Sequence, residues 1–183
     1  MRNKTIIGLI LLFVFILSIS INAQDKKEKA EQKIKLPRRY MEQNWERTVR
    51  NLTANIMAAI TYAKSNGKTA RDYGRFVGEL YADTWKKGRG PAYFAMGIYR
   101  SVSQFPNSQT EILSESESNV TMRVKRTWED FIGTGSGMKV EDFNEWVEGL
   151  WGTIADHIGL KYEQKIDGDW LVIKLDKKNV KDN

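Results

Sequence analysis

The chain has no cysteine, one histidine and three prolines in 183 residues. Without cysteine there is no disulfide, no thiolate metal site, no thiol nucleophile and no lipid-modified cysteine. With His157 as the sole imidazole, metal centres that need several histidines are excluded as well. Stability must therefore come from packing, and any chemistry from acids, hydroxyls or that one ring. Also lacking is a dense basic stripe interleaved with aromatic platforms, so nucleic acid is not an expected partner.

The N-terminus does carry a pattern. Arg2 and Lys4 precede an apolar run from Ile6 to Leu17, and small and polar residues follow as far as Ala23-Gln24. This is the layout of a secretory signal peptide, residues 1–23, cleaved before Gln24. The run is shorter than the roughly 20 residues a spanning helix needs, which leaves an uncleaved anchor as the lesser alternative. The expected location is outside the cytoplasm, periplasmic or secreted. Removal of Arg2 and Lys4 leaves 27 basic and 23 acidic residues, a net charge of +4. Residues 24–38 form a charged arm with Asp25, Glu28 and Glu31 among its lysines. It is expected to be solvated, with at most a weak attraction to an anionic membrane surface. One domain, 39–176, and a polar tail, 177–183, complete the division.

Helical periodicity dominates the first half of the domain. Trp45, Val49, Leu52, Ile56, Ile60 and Ala63 predict one apolar helical face between about Arg39 and Ser65, stopped at Asn66-Gly67. Thr69 and Asp72 suit a capping box opening a second helix, whose expected inward stripe is Tyr73, Phe76, Val77, Leu80, Tyr81, Thr84 and Trp85. Gly74 and Gly78 lie one turn apart on it. Each glycine costs about 1 kcal/mol against alanine in a helix interior, so the pair implies a compensating gain, either close approach of another backbone or room for a ligand. Pro91 suits the first turn of a third helix, with Ala92, Ala95, Met96, Tyr99 and Val102 or Ser103 as its apolar side and Phe105-Pro106 as its end.

The pattern then changes. Thr110–Leu113 and Val120–Arg126 read as strands joined by a polar turn, the second alternating apolar Val120, Met122 and Val124 with polar residues. A glycine-rich loop, 133–137, leads into a fourth helix marked by Phe143, Trp146, Val147, Leu150, Trp151, Ile154, Ala155 and Ile158. Glu141 and Asp142 occupy its first turn, where negative charge suits the helix dipole. His157 lies in its last turn, and Gly159 follows as the stop. Asp167-Gly168, set between alternating segments, predicts a closing hairpin. Three helices, a hairpin, a helix and a hairpin imply an α+β fold, with a four-stranded antiparallel sheet packed by helices on one face.

Motifs of chemistry are few. The 133–137 run has neither the spacing of a dinucleotide-binding turn nor the lysine and hydroxyl of a P-loop, and Glu141 and Asp142 would repel a phosphate there. The adjacent pairs Glu129-Asp130 and Glu141-Asp142 point in different directions and form no acid–base couple. No nucleophile elbow surrounds any serine. What is plentiful is aromatic surface, including six tryptophans and seven tyrosines. Pockets for small molecules are walled by such rings with a few polar groups. The site proposed from sequence lies between the sheet and the second and fourth helices. Its residues are Tyr73, Gly74, Gly78, Tyr81, Trp85, Trp146 and Trp151.

Two stretches carry a family resemblance. Gly67-Lys68-Thr69 through Tyr73-Gly74, Gly78 and Thr84-Trp85 is the first, and Ile154-Ala155-Asp156-His157-Ile158-Gly159-Leu160 with its hairpin is the second. Together they resemble small bacterial proteins of the L-2-amino-thiazoline-4-carboxylate hydrolase-like type, with a layout similar to vinyl-reductase-like and haem-NO-binding α+β domains. The resemblance implies an α+β ligand-binding fold over most of 40–176. The hydrolases depend on a cysteine that this chain lacks, so no catalytic residue carries over and no cofactor is assigned. The leading expectation is therefore an exported, non-enzymatic binding domain for a small, partly apolar molecule. The alternatives are an envelope-associated protein-interaction module, using Trp146 and Trp151 as an exposed face or the N-terminal arm, and a cysteine-free hydrolase.

Overall fold

The computed structural model describes residues 41–132 and 138–178. The expected signal peptide, the charged arm, the 133–137 loop and the tail beyond Lys178 lie outside the described residues. The element order is α1 (Met41–Ser65), α2 (Ala70–Ala82), α3 (Pro91–Val102), β1 (Thr110–Glu115), β2 (Asn119–Lys125), a 3-10 turn (Thr127–Phe131), α4 (Val140–Ile158), β3 (Leu160–Asp167) and β4 (Trp170–Lys177). The strands form one antiparallel sheet in the order β1-β2-β4-β3. This is the α+β arrangement implied by the segregated pattern.

Strand register explains which face is apolar. Val120 stands opposite Leu175, Met122 opposite Ile173 and Val124 opposite Leu171, and all six are fully buried. The intervening residues Thr121, Arg123 and Lys125 turn to the other face, where the Arg123 guanidinium lies 4.3 Å from the Trp170 ring centre. Helices α3 and α4 cover the apolar face, α2 packs against α4, and α1 touches α2, α4 and the 3-10 turn. β3 and β4 meet through Gly168 and Asp169, and Gly168 takes the positive φ of +56° that such tight hairpins use.

The helix ends form as their sequences require. The Thr69 hydroxyl accepts the Asp72 N–H, and the Asp72 carboxylate accepts the Thr69 N–H, each at 3.0 Å. Pro91 opens α3. At the start of α4 the Asp142 carboxylate accepts the Lys139 N–H at 2.9 Å and the Lys64 ammonium at 2.7 Å, which fastens the end of α1 to this cap. Gly159 closes α4 in the left-handed region, at φ +88°.

Three of the expected helix faces are rotated in the structure. In α2 the buried residues are Ala70, Gly74, Gly78 and Ala82. Phe76 and Leu80, expected inward, are 55% and 64% exposed, and Tyr81 is exposed as well. The cause is the approach of α4. A methyl on Gly74 would lie 2.1 Å from the Trp146 carbonyl oxygen, and one on Gly78 would lie 2.7 Å from Thr153 Cβ. Gly149 answers from α4, with its added methyl 2.3 Å from the Arg71 carbonyl oxygen. Only small residues fit a crossing this close, so the large ones turn outward.

In α3 the inward residues are Phe94, Ala95, Ile98 and Val102, while Ala92, Met96 and Tyr99 face out. This helix is apolar nearly all round, and periodicity alone does not fix its phase. In α1 the buried set is Val49, Thr53, Met57 and Ile60, whereas Trp45 and Leu52 are exposed. Thr53 tolerates burial because its hydroxyl donates to the Val49 carbonyl at 2.9 Å.

Candidate functional site

The aromatic side chains gather at one end of the helical layer. Phe105, past the end of α3, meets Phe131 at 6.0 Å and Trp128 at 6.1 Å between ring centres. Trp128 stacks on Phe143 at 6.0 Å, and Phe143 leans on Trp146 at 5.2 Å. These separations and tilts lie in the favourable range for aromatic pairs, about 0.5–1.5 kcal/mol each beyond simple burial. The 3-10 turn supplies Trp128 and Phe131, so its role in the fold is to lay two rings across the gap between α3 and α4.

Against this array lies a cavity of about 210 Å³. Phe143, Trp146, Val147, Leu150 and Trp151 of α4 form one wall. Leu52 and Ile56 of α1 close it from above, and Val102, Phe105 and Trp128 complete the apolar lining. The polar residues in the lining are Ser101 and Gln104, and no charged side chain is among them. The Ser101 hydroxyl donates to the Gly97 carbonyl at 3.1 Å. Nearby, the Trp128 indole N–H donates to Asn144 Oδ1 at 3.3 Å. Two further donors in this part of α4, Asn144 Nδ2 and the Trp146 indole N–H, are buried without an acceptor among the described residues.

The residues singled out from sequence are divided by this geometry. Trp146 and Trp151 line the cavity together. Trp151 is 7% exposed and Trp146 is half-buried, so they do not form the exposed aromatic face of the interaction-module alternative. Gly74 and Gly78 are filled from outside by the α4 backbone. Tyr73 stacks on Phe76 at 6.4 Å, and Tyr81 points to solvent. Trp85 packs on Gly97, Tyr93 and Phe94 under the start of α3. Phe105, Trp128, Leu52 and Ile56 belong to the cavity and were not in the expected set. Trp128 carried the one available signal, a large ring isolated among Arg126, Glu129 and Asp130 in a stretch with no helical or strand period.

Two other recesses are polar. His157 faces one of about 360 Å³ with Lys87, Arg89, Lys177 and Lys178. The groove beside the α2–α4 crossing is lined by Arg71, Arg75, Glu79, Glu148 and Asp156, with Arg71 paired to Glu148 at 2.7 Å. Tyr162 lies at the same groove, and burial, reinforced by the Glu148 charge, pushes its phenol well above the ordinary value. No cluster of acids and histidines able to hold a metal ion occurs among the described residues. No described helix is long and apolar enough to cross a membrane. The resemblance to haem-NO-binding domains implies a haem, but the residues present do not fit one. The sole imidazole sits in the lysine-rich recess, and the lining of the aromatic cavity has no imidazole, thiolate or phenolate to offer an iron.

No family model matches the chain, and no curated protein matches it. Two crystal structures of the Fe(II) unliganded H-NOX protein from K. algicida, one of them of a mutant, align with it at 14% identity. The mutant structure aligns with a TM-score of 0.33 over 61% of this chain and 62% of its own. The other aligns with a TM-score of 0.35 over 60% of each chain. This chain thus spans less than two thirds of their length.

Proposed function

We propose that the protein is an exported, non-enzymatic binding domain that takes a small, uncharged, largely apolar ring compound into the aromatic cavity between α1, α3, the 3-10 turn and α4. The observation that carries this reading is the lining itself, with five aromatic side chains and several aliphatic ones around about 210 Å³ and no charged group. An apolar cavity of about 150 Å³ stays dry and accepts benzene, so this space suits a one- or two-ring molecule. Gln104 offers a hydrogen-bonding group in the wall. A carbonyl or ether oxygen on the ligand would therefore be rewarded, whereas a carboxylate would lose its hydration without gaining a cation. The signal-like residues 1–23 support export, and the resemblance to small bacterial α+β binding domains is in keeping with the reading.

The test is titration with indole, naphthalene and neutral ring ketones, followed by tryptophan fluorescence and thermal denaturation. Saturable quenching or enhancement is expected, with a rise in Tm and with binding weakened by Leu52→Glu. Leu52 is half exposed on α1, so this change spares the core. Absence of any saturable response below about 1 mM, an affinity of roughly 4 kcal/mol, would sink the proposal.

A further inference from the structure

β1 is an outer strand of the sheet, with β2 as its one neighbour. At one end the Gln109 carbonyl accepts the Lys125 N–H at 2.9 Å, and at the other the Ser116 N–H donates to the Asn119 carbonyl at 2.8 Å. In an antiparallel ladder alternate residues turn their backbone groups to the partner. Counting inward from these two bonds, and allowing for the register shift between Ile112 and Ser114, Thr110, Ile112 and Glu115 turn their N–H and C=O groups away from β2. The same three residues line one side of an apolar groove of about 330 Å³, whose other side is the outer face of α3. Met96, Tyr99 and Ile112 are each about half exposed there. The rotated phase of α3 thus has a counterpart: Phe94 and Ile98 serve the core, and Met96 and Tyr99 are left facing a free strand edge.

Charge separates the possible occupants. Glu111 is paired with Arg123 at 2.6 Å, whereas Glu115 and Glu117 have no ion pair among the described residues. A second copy pairing through its own β1 would bring Glu111 and Glu115 again and no lysine or arginine to this edge, and like charges gathered along a strand pair are destabilising. A strand with lysine or arginine at alternate positions meets the opposite situation.

We propose that β1 and α3 form a docking site for an extended segment of a partner protein. The segment adds as a new outer strand beside β1, seats an apolar side chain between Met96 and Ile112, and sets a lysine or arginine against Glu115. Main-chain hydrogen bonds supply general affinity in this mode, and the groove supplies selectivity. The site is separate from the aromatic cavity, and either proposal can fail without the other.

The experiment is an amide-resolved NMR titration of the full chain with a short capped peptide of alternating lysine and valine. A second peptide carries N-methyl groups on the amides that would face β1. Saturable shifts are expected at Thr110, Ile112 and Glu115, with the N-methylated peptide weaker by about tenfold or more. Glu115→Lys should weaken the lysine peptide and strengthen its glutamate counterpart, a gain that misfolding cannot imitate. Equal binding of the N-methylated peptide, shifts centred on Trp146 and Leu150, or no binding at millimolar peptide would each overturn the proposal. Self-association of the protein alone through the same amides would assign the edge to a second copy and overturn it too.

Discussion

Two glycines three residues apart in α4 should respond to the same substitution with opposite signs. At Gly149 an added methyl would lie 2.3 Å from the Arg71 carbonyl oxygen and 2.9 Å from the Arg75 nitrogen. Carbon–oxygen contacts are comfortable from about 3.3 Å, so α2 would have to retreat by about 1 Å, and the obstructing atoms are backbone and cannot rotate aside. Overpacking of this kind costs about 1–3 kcal/mol. The better helix propensity of alanine returns about 1 kcal/mol, which leaves Gly149→Ala destabilised by up to about 2 kcal/mol. At Gly152 the nearest atom to an added methyl is Tyr162 Cδ1 at 3.8 Å, an ordinary contact. There the propensity gain is kept, and Gly152→Ala should be more stable by about 0.5–1 kcal/mol. For a domain of this size 1 kcal/mol corresponds to about 4 °C in Tm. Thermal unfolding of the two variants should therefore separate them by about 2–12 °C around the parent, with urea midpoints moving in the same order. If both move in the same direction, the close crossing of α2 and α4 does not govern these positions and the argument from helix approach is wrong.

Three further outcomes are expected. Asp142→Asn removes the ion pair to Lys64 and weakens the acceptor for the Lys139 N–H, at a cost of about 1 kcal/mol at neutral pH. Burial alone would raise the Asp142 carboxyl, but the Lys64 and Lys139 hydrogen bonds and charges hold it below the ordinary 3.8. A lowered folded-state value contributes stability above 3.8 that is lost as pH falls through it, so the two proteins should converge in acid-denaturation profiles below that pH. Trp128→Phe leaves Asn144 Oδ1 without its donor and should cost about 1–3 kcal/mol. Adding Asn144→Leu should recover part of that loss in a double-mutant cycle, and strict additivity would refute the pairing. Phe76→Ser and Leu80→Ser should each change urea stability by no more than about 0.5 kcal/mol, whereas a loss of several kcal/mol would return these residues to the core.

Element types and order were legible because each rests on local rules. The hairpin at Gly168, the stop at Gly159, the capping box at Thr69 and the alternation of Val120, Met122 and Val124 all act within a few residues. Helix phase was not legible where it depends on a distant partner. Gly74 and Gly78 show that something approaches α2 closely, but not that the approaching backbone belongs to residues 146–150. Once it does, the aromatic stripe beside them has to face outward. The cavity was half legible for the same reason: Trp146 and Trp151 announce themselves on a clean helical period. Phe105 and Trp128 lie in a loop end and a 3-10 turn, where no period exists and only the fold brings them to the same wall.

The strand order β1-β2-β4-β3 places β4 in the interior of the sheet, hydrogen-bonded on both sides and supplying Leu171, Ile173 and Leu175 to the fully buried core. During synthesis the ribosome delivers this keystone after every other element named above. Until Lys177 has left the exit tunnel, β2 has no inner partner and the apolar faces of α3 and α4 have half a floor. Before then α2 and α4 have each other, but the sheet-facing sides of α3 and α4 stay open to chaperones and proteases until this last strand is in place. A frameshift or stop codon within the 170–177 segment would accordingly leave β2 and β3 without the partner they share.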